Sequence, residues 1–263
     1  LGMGDEHDGI LRLADLGSRS PHMVAALKFV EKAATSNAPL LLEGEAGVGK
    51  AMLARAIHAS GERRDKPFVA VHCATIAPGL VDATLSGRAM EADGGTLFMD
   101  EVRALPAEAQ SKLARLLRDG DVEPDLRVIA STRRGRTGGE GGLREDPFAR
   151  SDVLAVTVPP LRERAADIPD LVREFTARFA AELGRTVRAV SDEALALLGA
   201  HRWPGNVRQL ENAMFRAVAL ADRDTIGTED FPQLTVHGGS GAGVMRALPL
   251  ATMDGAPAMV PVE

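Results

Sequence analysis

The feature that most constrains the fold is a glycine-rich segment, Gly44-Glu45-Ala46-Gly47-Val48-Gly49-Lys50, which follows an apolar run and opens a helix-like stretch. In this context the spacing is that of a phosphate-binding loop. Its glycines let successive backbone N–H groups turn toward phosphates, the helix adds the positive end of its dipole, and Lys50 reaches the β- and γ-phosphates. We therefore predict that Gly44, Glu45, Ala46, Gly47, Val48, Gly49, Lys50 and Ala51 bind a nucleotide. The alternative is a glycine-rich turn without a ligand.

Short apolar runs alternate with helix-like stretches in the first part of the chain. These runs are Pro39–Leu42, Pro67–Val71, Thr96–Met99, Leu126–Ala130 and Val153–Val158. Nearly continuous apolar strands separated by helices are typical of a parallel sheet that is covered on both faces. The pattern therefore predicts an α/β fold.

Two adjacent acidic residues, Asp100 and Glu101, come directly after the apolar run Thr96–Met99. Ligands of open α/β sheets bind at the carboxyl ends of the strands, where these two side chains would lie. Asp100 is predicted to hold magnesium, directly or through water, and Glu101 to orient the water that attacks the γ-phosphate. By itself such a pair is more often a solvated strand end, but after a phosphate loop it indicates nucleotide hydrolysis.

Beyond Asp167 the apolar residues follow a helical period, with Ile168, Leu171, Val172 and Phe175 on one face. This change of pattern predicts a second, helical subdomain. We place an N-terminal linker at 1–15, the α/β subdomain at 16–165 and the helical subdomain at 166–236. The Gly- and Pro-rich residues 237–263 are predicted to be a flexible linker toward a DNA-binding domain outside this chain.

The composition excludes several classes of partner. With 31 Lys and Arg against 37 Asp and Glu, the net charge of −6 argues against a surface that coats nucleic acid. The single cysteine, Cys73, rules out an internal disulfide and favours the cytoplasm; its position in a predicted strand indicates a packed residue. No apolar run approaches the ~20 residues of a membrane helix, so no membrane partner is expected. The six histidines show no zinc-type spacing.

Four separated motifs together resemble one family. In this sequence they are Gly44–Lys50, Gly94–Glu101, Pro159–Arg164 followed by Asp167-Ile168, and Trp203–Leu210. The chain resembles, from about Leu16 to Phe231, the AAA+ domain of NtrC-like bacterial transcription activators, which serve sigma-54 RNA polymerase. The resemblance implies a P-loop NTPase fold with a parallel five-stranded sheet of order 5-1-4-3-2 and a small C-terminal helical lid.

The resemblance also implies ATP or ADP with Mg²⁺ as cofactors and a ring of identical chains, expected to be a hexamer. Arg208 matches the lid arginine that senses the nucleotide. Arg144 and Arg150 match the segment of arginine fingers, which would act on the γ-phosphate of the neighbouring subunit. DNA would be contacted only through a domain outside this chain.

The chain departs from the family at the segment that contacts the polymerase. Where relatives insert a long hairpin tipped by Gly-Ala-Phe-Thr-Gly-Ala, this sequence has only Arg88–Asp93, six residues that span at most ~20 Å. We predict that the protein does not act on sigma-54 polymerase in the usual way. A contact with RNA polymerase would use another route, either at sigma-70 promoters or in repression.

Three further differences concern catalysis. Ala51 stands where a Ser or Thr usually offers magnesium a hydroxyl. His72 replaces an Asn that pairs with the catalytic Glu, so we expect a charged pair between His72 and Glu101. Arg133 replaces an Asn that senses the γ-phosphate, and it either stabilises bound phosphate or points outward. These changes are compatible with two hypotheses for the function: a slow ATPase, or a nucleotide-gated oligomerisation scaffold without significant turnover. A remodeller of another protein is a third.

Overall fold

The computed structural model describes residues 12–106, 108–110, 113, 125–133 and 153–235, and the structural statements below concern these residues. The predicted arginine fingers Arg144 and Arg150 and the predicted linker 237–263 lie outside them. Within the predicted linker 1–15, Leu13–Asp15 form one 3-10 turn in which Leu13 is buried. The subdomain boundaries stay a prediction.

A five-stranded sheet forms the centre of the structure. Its strands are β1 (Leu40–Glu43), β2 (Phe68–His72), β3 (Thr96–Asp100), β4 (Arg127–Thr132) and β5 (Leu154–Thr157). All neighbours pair in parallel, in the order β2-β3-β4-β1-β5. This is the predicted order, read from the opposite edge, and it is confirmed.

Helices cover both faces of the sheet because successive side chains of a strand point to opposite sides. Leu40 and Leu42 of β1 pack on the side of α1 (Pro21–Ala34) and α2 (Lys50–Ser60). Leu41, between them, packs with α3 (Val81–Glu91) on the other side. All three leucines are buried, as expected for a strand inside a parallel sheet.

The residues after β5 are mainly helical and have a core of their own, centred on Trp203 and Phe231. The indole N–H of Trp203 donates a hydrogen bond to the Leu198 carbonyl at 2.8 Å. None of the helices in the described ranges is long and apolar enough to cross a bilayer. The elements are α4 (Ile168–Leu183), β6 (Ala189–Val190), α5 (Asp192–Ala200), α6 (Asn206–Leu220), β7 (Thr225–Ile226) and α7 (Pro232–Thr235).

A tight turn joins α3 to β3. The Gly95 N–H donates to the Ala92 carbonyl at 2.8 Å, and the Gly94 N–H donates to the Asp125 carbonyl at 2.8 Å, just before β4. A Cβ atom on Gly95 would lie 2.0 Å from the Pro67 carbonyl oxygen, so only glycine fits there. The chain therefore passes from helix to strand without a projecting hairpin.

We expect opposite effects from adding one methyl group at two glycines of this region. Gly95→Ala should lower the free energy of unfolding by about 1–3 kcal/mol, because the backbone at Pro67 must move. Gly87→Ala is the matched control: this glycine is exposed inside α3 with no atom near its Cβ position. It should raise that free energy by about 0.5–1 kcal/mol, since alanine is the better helix former. Urea unfolding measures both, and equal effects would contradict the turn geometry.

Candidate functional site

The sequence-predicted residues meet at the carboxyl edge of the sheet. The glycine-rich loop follows β1, Asp100 ends β3, and Ser131 and Thr132 end β4, which lies between those two strands. As a result the Lys50 Nζ atom lies 3.7 Å from Oε1 of Glu101. Lys50 and Glu101, which are far apart in the sequence, thus lie in one site.

Lys50 is held inside the loop that precedes it. Its side chain is almost fully buried, and its ammonium group donates to the carbonyl oxygens of Gly44 at 2.9 Å and Glu45 at 3.1 Å. Burial lowers the pKa of Lys50, while the negative charges of Glu101 and Asp100 act in the opposite direction. A buried cation beside the first turn of α2, which begins at Lys50 itself, favours an anionic ligand.

Ser131 fixes the two acidic residues relative to β4, a role that the sequence analysis missed. Its hydroxyl donates to Oδ1 of Asp100 and accepts the backbone N–H of Glu101 at 3.1 Å. Ser131 is fully buried. A polar residue at the end of an apolar strand is the signal that could have revealed it, because it lies at the same sheet edge as the acids.

The expected pair between His72 and Glu101 is wrong. The His72 Nδ1 atom lies 3.0 Å from Oδ2 of Asp100 instead. His72 and Asp100 are register partners in the parallel pair of β2 and β3, so their side chains share one face of the sheet. Cys73, the next residue, is buried as expected, and burial raises the pKa of its thiol to about 12.

Glu101, the residue that follows β3, has a left-handed backbone with a φ of 56°. Its carboxylate Oε1 lies 3.4 Å from Nε of Arg133, in addition to the contact with Lys50. The Glu101 side chain is 18% exposed, whereas that of Arg133 is 60% exposed. Arg133 thus neither points simply outward nor stands alone: it contacts the predicted catalytic carboxylate.

The start of α6 is bound to the glycine-rich loop through Asn206. This residue is fully buried, with a left-handed φ of 53°. Its side-chain nitrogen donates to Oε2 of Glu45 at 3.1 Å and to the Ala46 carbonyl at 3.0 Å, and its oxygen accepts the Leu161 N–H at 2.8 Å. One amide therefore connects three segments, a role that the sequence analysis did not assign.

Glu45 is held from a second direction by Arg162. Two guanidinium nitrogens lie 2.8 and 2.6 Å from its carboxylate oxygens. The hydrogen bonds from Arg162, then from Asn206, lower the pKa of Glu45 to about 2. Both partners lie in motifs that the sequence analysis had identified, which is the signal that could have assigned them.

Arg208 lies directly against the loop. Its backbone N–H donates to the Gly47 carbonyl at 3.2 Å, and a Cβ atom on Gly47 would lie 2.3 Å from the Gly205 carbonyl oxygen. Gly47 also has a φ of +78°, which favours glycine. The Arg208 side chain is exposed and has no hydrogen bond or ion pair to another described residue. It is available to a ligand of the loop.

The donor set fits a nucleotide phosphate. The loop surrounds a buried ammonium group at the N-terminus of α2, where phosphates commonly bind, and an exposed arginine stands beside the loop. For a metal ion, the described residues contain no cluster of three or more acidic, histidine or cysteine side chains. If Asp100 holds Mg²⁺, as the sequence predicts, most of the other ligands would have to be phosphate oxygens and water.

Two family profiles match the chain in succession. The first, described as a sigma-54 interaction domain, matches residues 16–157, and the second, described as an AAA+ ATPase lid domain, matches residues 162–245. Among curated proteins, the DNA-binding transcriptional regulator NtrC of Rhizobium meliloti is 37% identical over 251 residues, which cover 86% of this chain and 51% of NtrC. The chain spans about half the length of such relatives.

Solved structures of NtrX from Brucella abortus have the same arrangement. The complex with ATP has a TM-score of 0.76 at 36% identity and covers 86% of this chain and 58% of the NtrX chain. The complex with ADP has a TM-score of 0.75 at 35% identity and covers 84% and 56%. The similarity therefore extends over most of the α/β and helical parts described above.

We expect Asn206→Ala to lower the free energy of unfolding by about 2–4 kcal/mol, because it leaves the Leu161 N–H without its partner and puts alanine at a positive φ. Asn206→Gly removes the same amide but tolerates that backbone conformation. It should cost about 1 kcal/mol less than the alanine variant. Chemical denaturation at pH 7 compares the three proteins, and a stability like that of the wild type in both variants would contradict the connecting role.

Proposed function

Because the chain belongs to the family of sigma-54 interaction domains and carries the AAA+ ATPase lid, we propose that it binds ATP, hydrolyses it slowly and assembles into a ring. Its fold is that of AAA+ P-loop nucleoside triphosphatases of NtrC-like bacterial regulators. The observation that carries the proposal is the contact of Lys50, buried within the glycine-rich loop, with Glu101 after β3. The NtrX complexes with ATP and ADP support nucleotide binding.

The described side chains suit distinct roles in hydrolysis. Lys50 would exchange the carbonyl oxygens of Gly44 and Glu45 for phosphate oxygens, and Arg208 would contact the nucleotide from the lid. Asp100 would hold Mg²⁺, which neutralises charge on the phosphates. Glu101 would orient the attacking water. Arg144 and Arg150 are proposed to reach the nucleotide of the neighbouring subunit.

In this proposal the nucleotide regulates assembly. A ligand bound at the boundary between two chains favours the ring, since it stabilises only the assembled state. Bringing several chains together would raise the avidity of DNA-binding domains attached outside this chain. The partners are thus other copies of this chain and, by a route other than sigma-54, RNA polymerase in the bacterial cytoplasm.

A second candidate is a nucleotide-gated scaffold without significant turnover. One observation favours it: both acidic residues are already engaged, Asp100 by His72 and Glu101 by Arg133. In addition, Ala51 offers magnesium no hydroxyl. Assembly would then need nucleotide binding but not hydrolysis.

We expect ATP with Mg²⁺ to increase the mass of the protein in light scattering and to be accompanied by slow phosphate release. Lys50→Ala should abolish both, because the loop loses its buried cation. Lys66→Ala is the matched control, an exposed lysine that precedes β2 at the opposite edge of the sheet. Assembly without phosphate release would identify the scaffold, and the absence of both responses in the wild type would overturn the proposal.

We further propose that the protein does not activate sigma-54 polymerase. Support comes from the region where relatives carry the hairpin: α3 ends at Glu91, and Ala92, which follows it, is fully buried. Hydrogen bonds then tie Gly94 and Gly95 to their surroundings before β3 begins. This path leaves no segment that could project from the described surface between α3 and β3.

The full-length regulator should therefore give no ATP-dependent increase in transcription from a sigma-54 promoter. A relative that carries the hairpin serves as the positive control under the same conditions. Activation should fail because the contact with the polymerase is missing and not because the nucleotide does not bind. ATP binding should therefore be normal in parallel samples. Robust ATP-dependent activation by this regulator would contradict the proposal.

A further inference from the structure

An open groove of about 320 Å³ lies in the helical part, between α4 and the extended segment that contains β6. The α4 residues that line it, Thr176, Ala177 and Ala180, are small, whereas Phe175 and Phe179 of the same helix belong to the core. The volume is near the lower end of the range for ligand pockets, so the groove suits one or two side chains of a ligand. None of its lining residues belongs to the candidate nucleotide site.

The second wall of the groove is a strand edge. Residues 187–190 all line the groove, and because successive side chains of a strand point to opposite faces, their backbone edge must face it. The N–H groups of Ala189 and Ser191 donate to carbonyl groups at and just before β7. The backbone groups of Val190, between them, therefore face the other edge, where the described part of the chain places no strand. Such an edge is a template for an added strand.

Two arginines give the groove a positive charge. Arg173 and Arg188 line it, and none of its described lining residues carries a carboxylate. The Arg188 side chain is exposed and has no hydrogen bond or ion pair to another described residue. Arg173 pairs with Asp170 at 2.5 Å, but the same carboxylate also pairs with Arg19 at 2.7 Å. One carboxylate is thus shared between two cations, and an acidic ligand complements the groove.

We propose that this groove is a docking site for an extended acidic segment of a partner protein, which adds to the free edge of β6. In this mode of recognition, main-chain hydrogen bonds give affinity and alternate side chains of the segment give specificity. An apolar side chain of the segment lies on Ala177 and Ala180, and its carboxylates pair with Arg173 and Arg188.

The shortness of β6 sets the balance of these contacts. With only two residues, it offers few main-chain hydrogen bonds, so the groove and the arginines must supply much of the affinity. The inference does not depend on the proposed nucleotide site, because none of the residues that carry it belongs to that site.

The test begins with short linear peptides, selected from a random library displayed on phage against the immobilised protein without nucleotide. We expect enriched sequences to combine Asp or Glu with large apolar residues. Ala177→Trp should lose these peptides, because the indole ring fills the groove. Ala181→Trp is the matched control, since Ala181 is also exposed on α4 but does not line the groove. Both positions are exposed, so both variants should fold.

The affinity of the most enriched peptide, made synthetically, then tests the charge and the strand edge separately. In fluorescence anisotropy, Arg188→Gln should weaken binding about fivefold, the upper range for an exposed ion pair. Arg216→Gln is the matched control, because Arg216 is an exposed arginine of α6 without a partner among the described residues. Methylation of the peptide amides, one at a time, should abolish binding at alternate positions only, since alternate amides of an added strand face β6.

Three results would overturn the inference. The first is that no acidic and apolar motif is enriched on the wild type, or that Ala177→Trp retains the peptides. The second is sensitivity to amide methylation without alternation. The third is a lower mass of Ala177→Trp than of wild type in light scattering without nucleotide, which would show that the groove holds a second copy of this chain. Loss of nucleotide-dependent assembly or phosphate release would overturn only the proposed function.

Discussion

The site depends on keeping one positive charge, that of Lys50, almost fully out of water. A buried ammonium group needs hydrogen-bond acceptors and a counter-charge, because desolvation disfavours its charged form. The glycine-rich loop supplies the carbonyl oxygens of Gly44 and Glu45, and β3 supplies Glu101. This arrangement requires β1 and β3 to flank β4. The chemistry of the site therefore depends on the strand order of the sheet.

A second set of contacts places the helical part on the loop. Glu45 accepts hydrogen bonds from Arg162 before α4 and from Asn206 at the start of α6. One carboxylate of the loop therefore binds two separate segments of the helical part. The same loop thus contacts Lys50 on its inner side and the lid on its outer side. Any ligand that reshapes the loop acts on both.

The sequence pattern predicted the parallel strands and the loop, because buried strands and glycine spacing are local patterns, whereas the strand order came from the resemblance to the family. It did not predict which side chains meet across strands. His72 lies beside Asp100 through the register of β2 and β3, and Glu101 has a left-handed backbone that no periodicity reveals. Asn206 was inside a known motif, but its buried amide bonds need the folded lid. The fingers Arg144 and Arg150, the roles of the site residues and the subdomain boundaries remain predictions.

The close approach of Gly47 to the Gly205 carbonyl has a mechanical consequence for the lid. Two backbones in contact repel steeply, so the lid cannot turn further toward the loop. Movement away from the loop meets only the gradual loss of hydrogen bonds from Asn206 and Arg208. The lid therefore resists rotation asymmetrically: steric repulsion blocks movement toward the loop, whereas movement away from the loop is opposed only by a few hydrogen bonds.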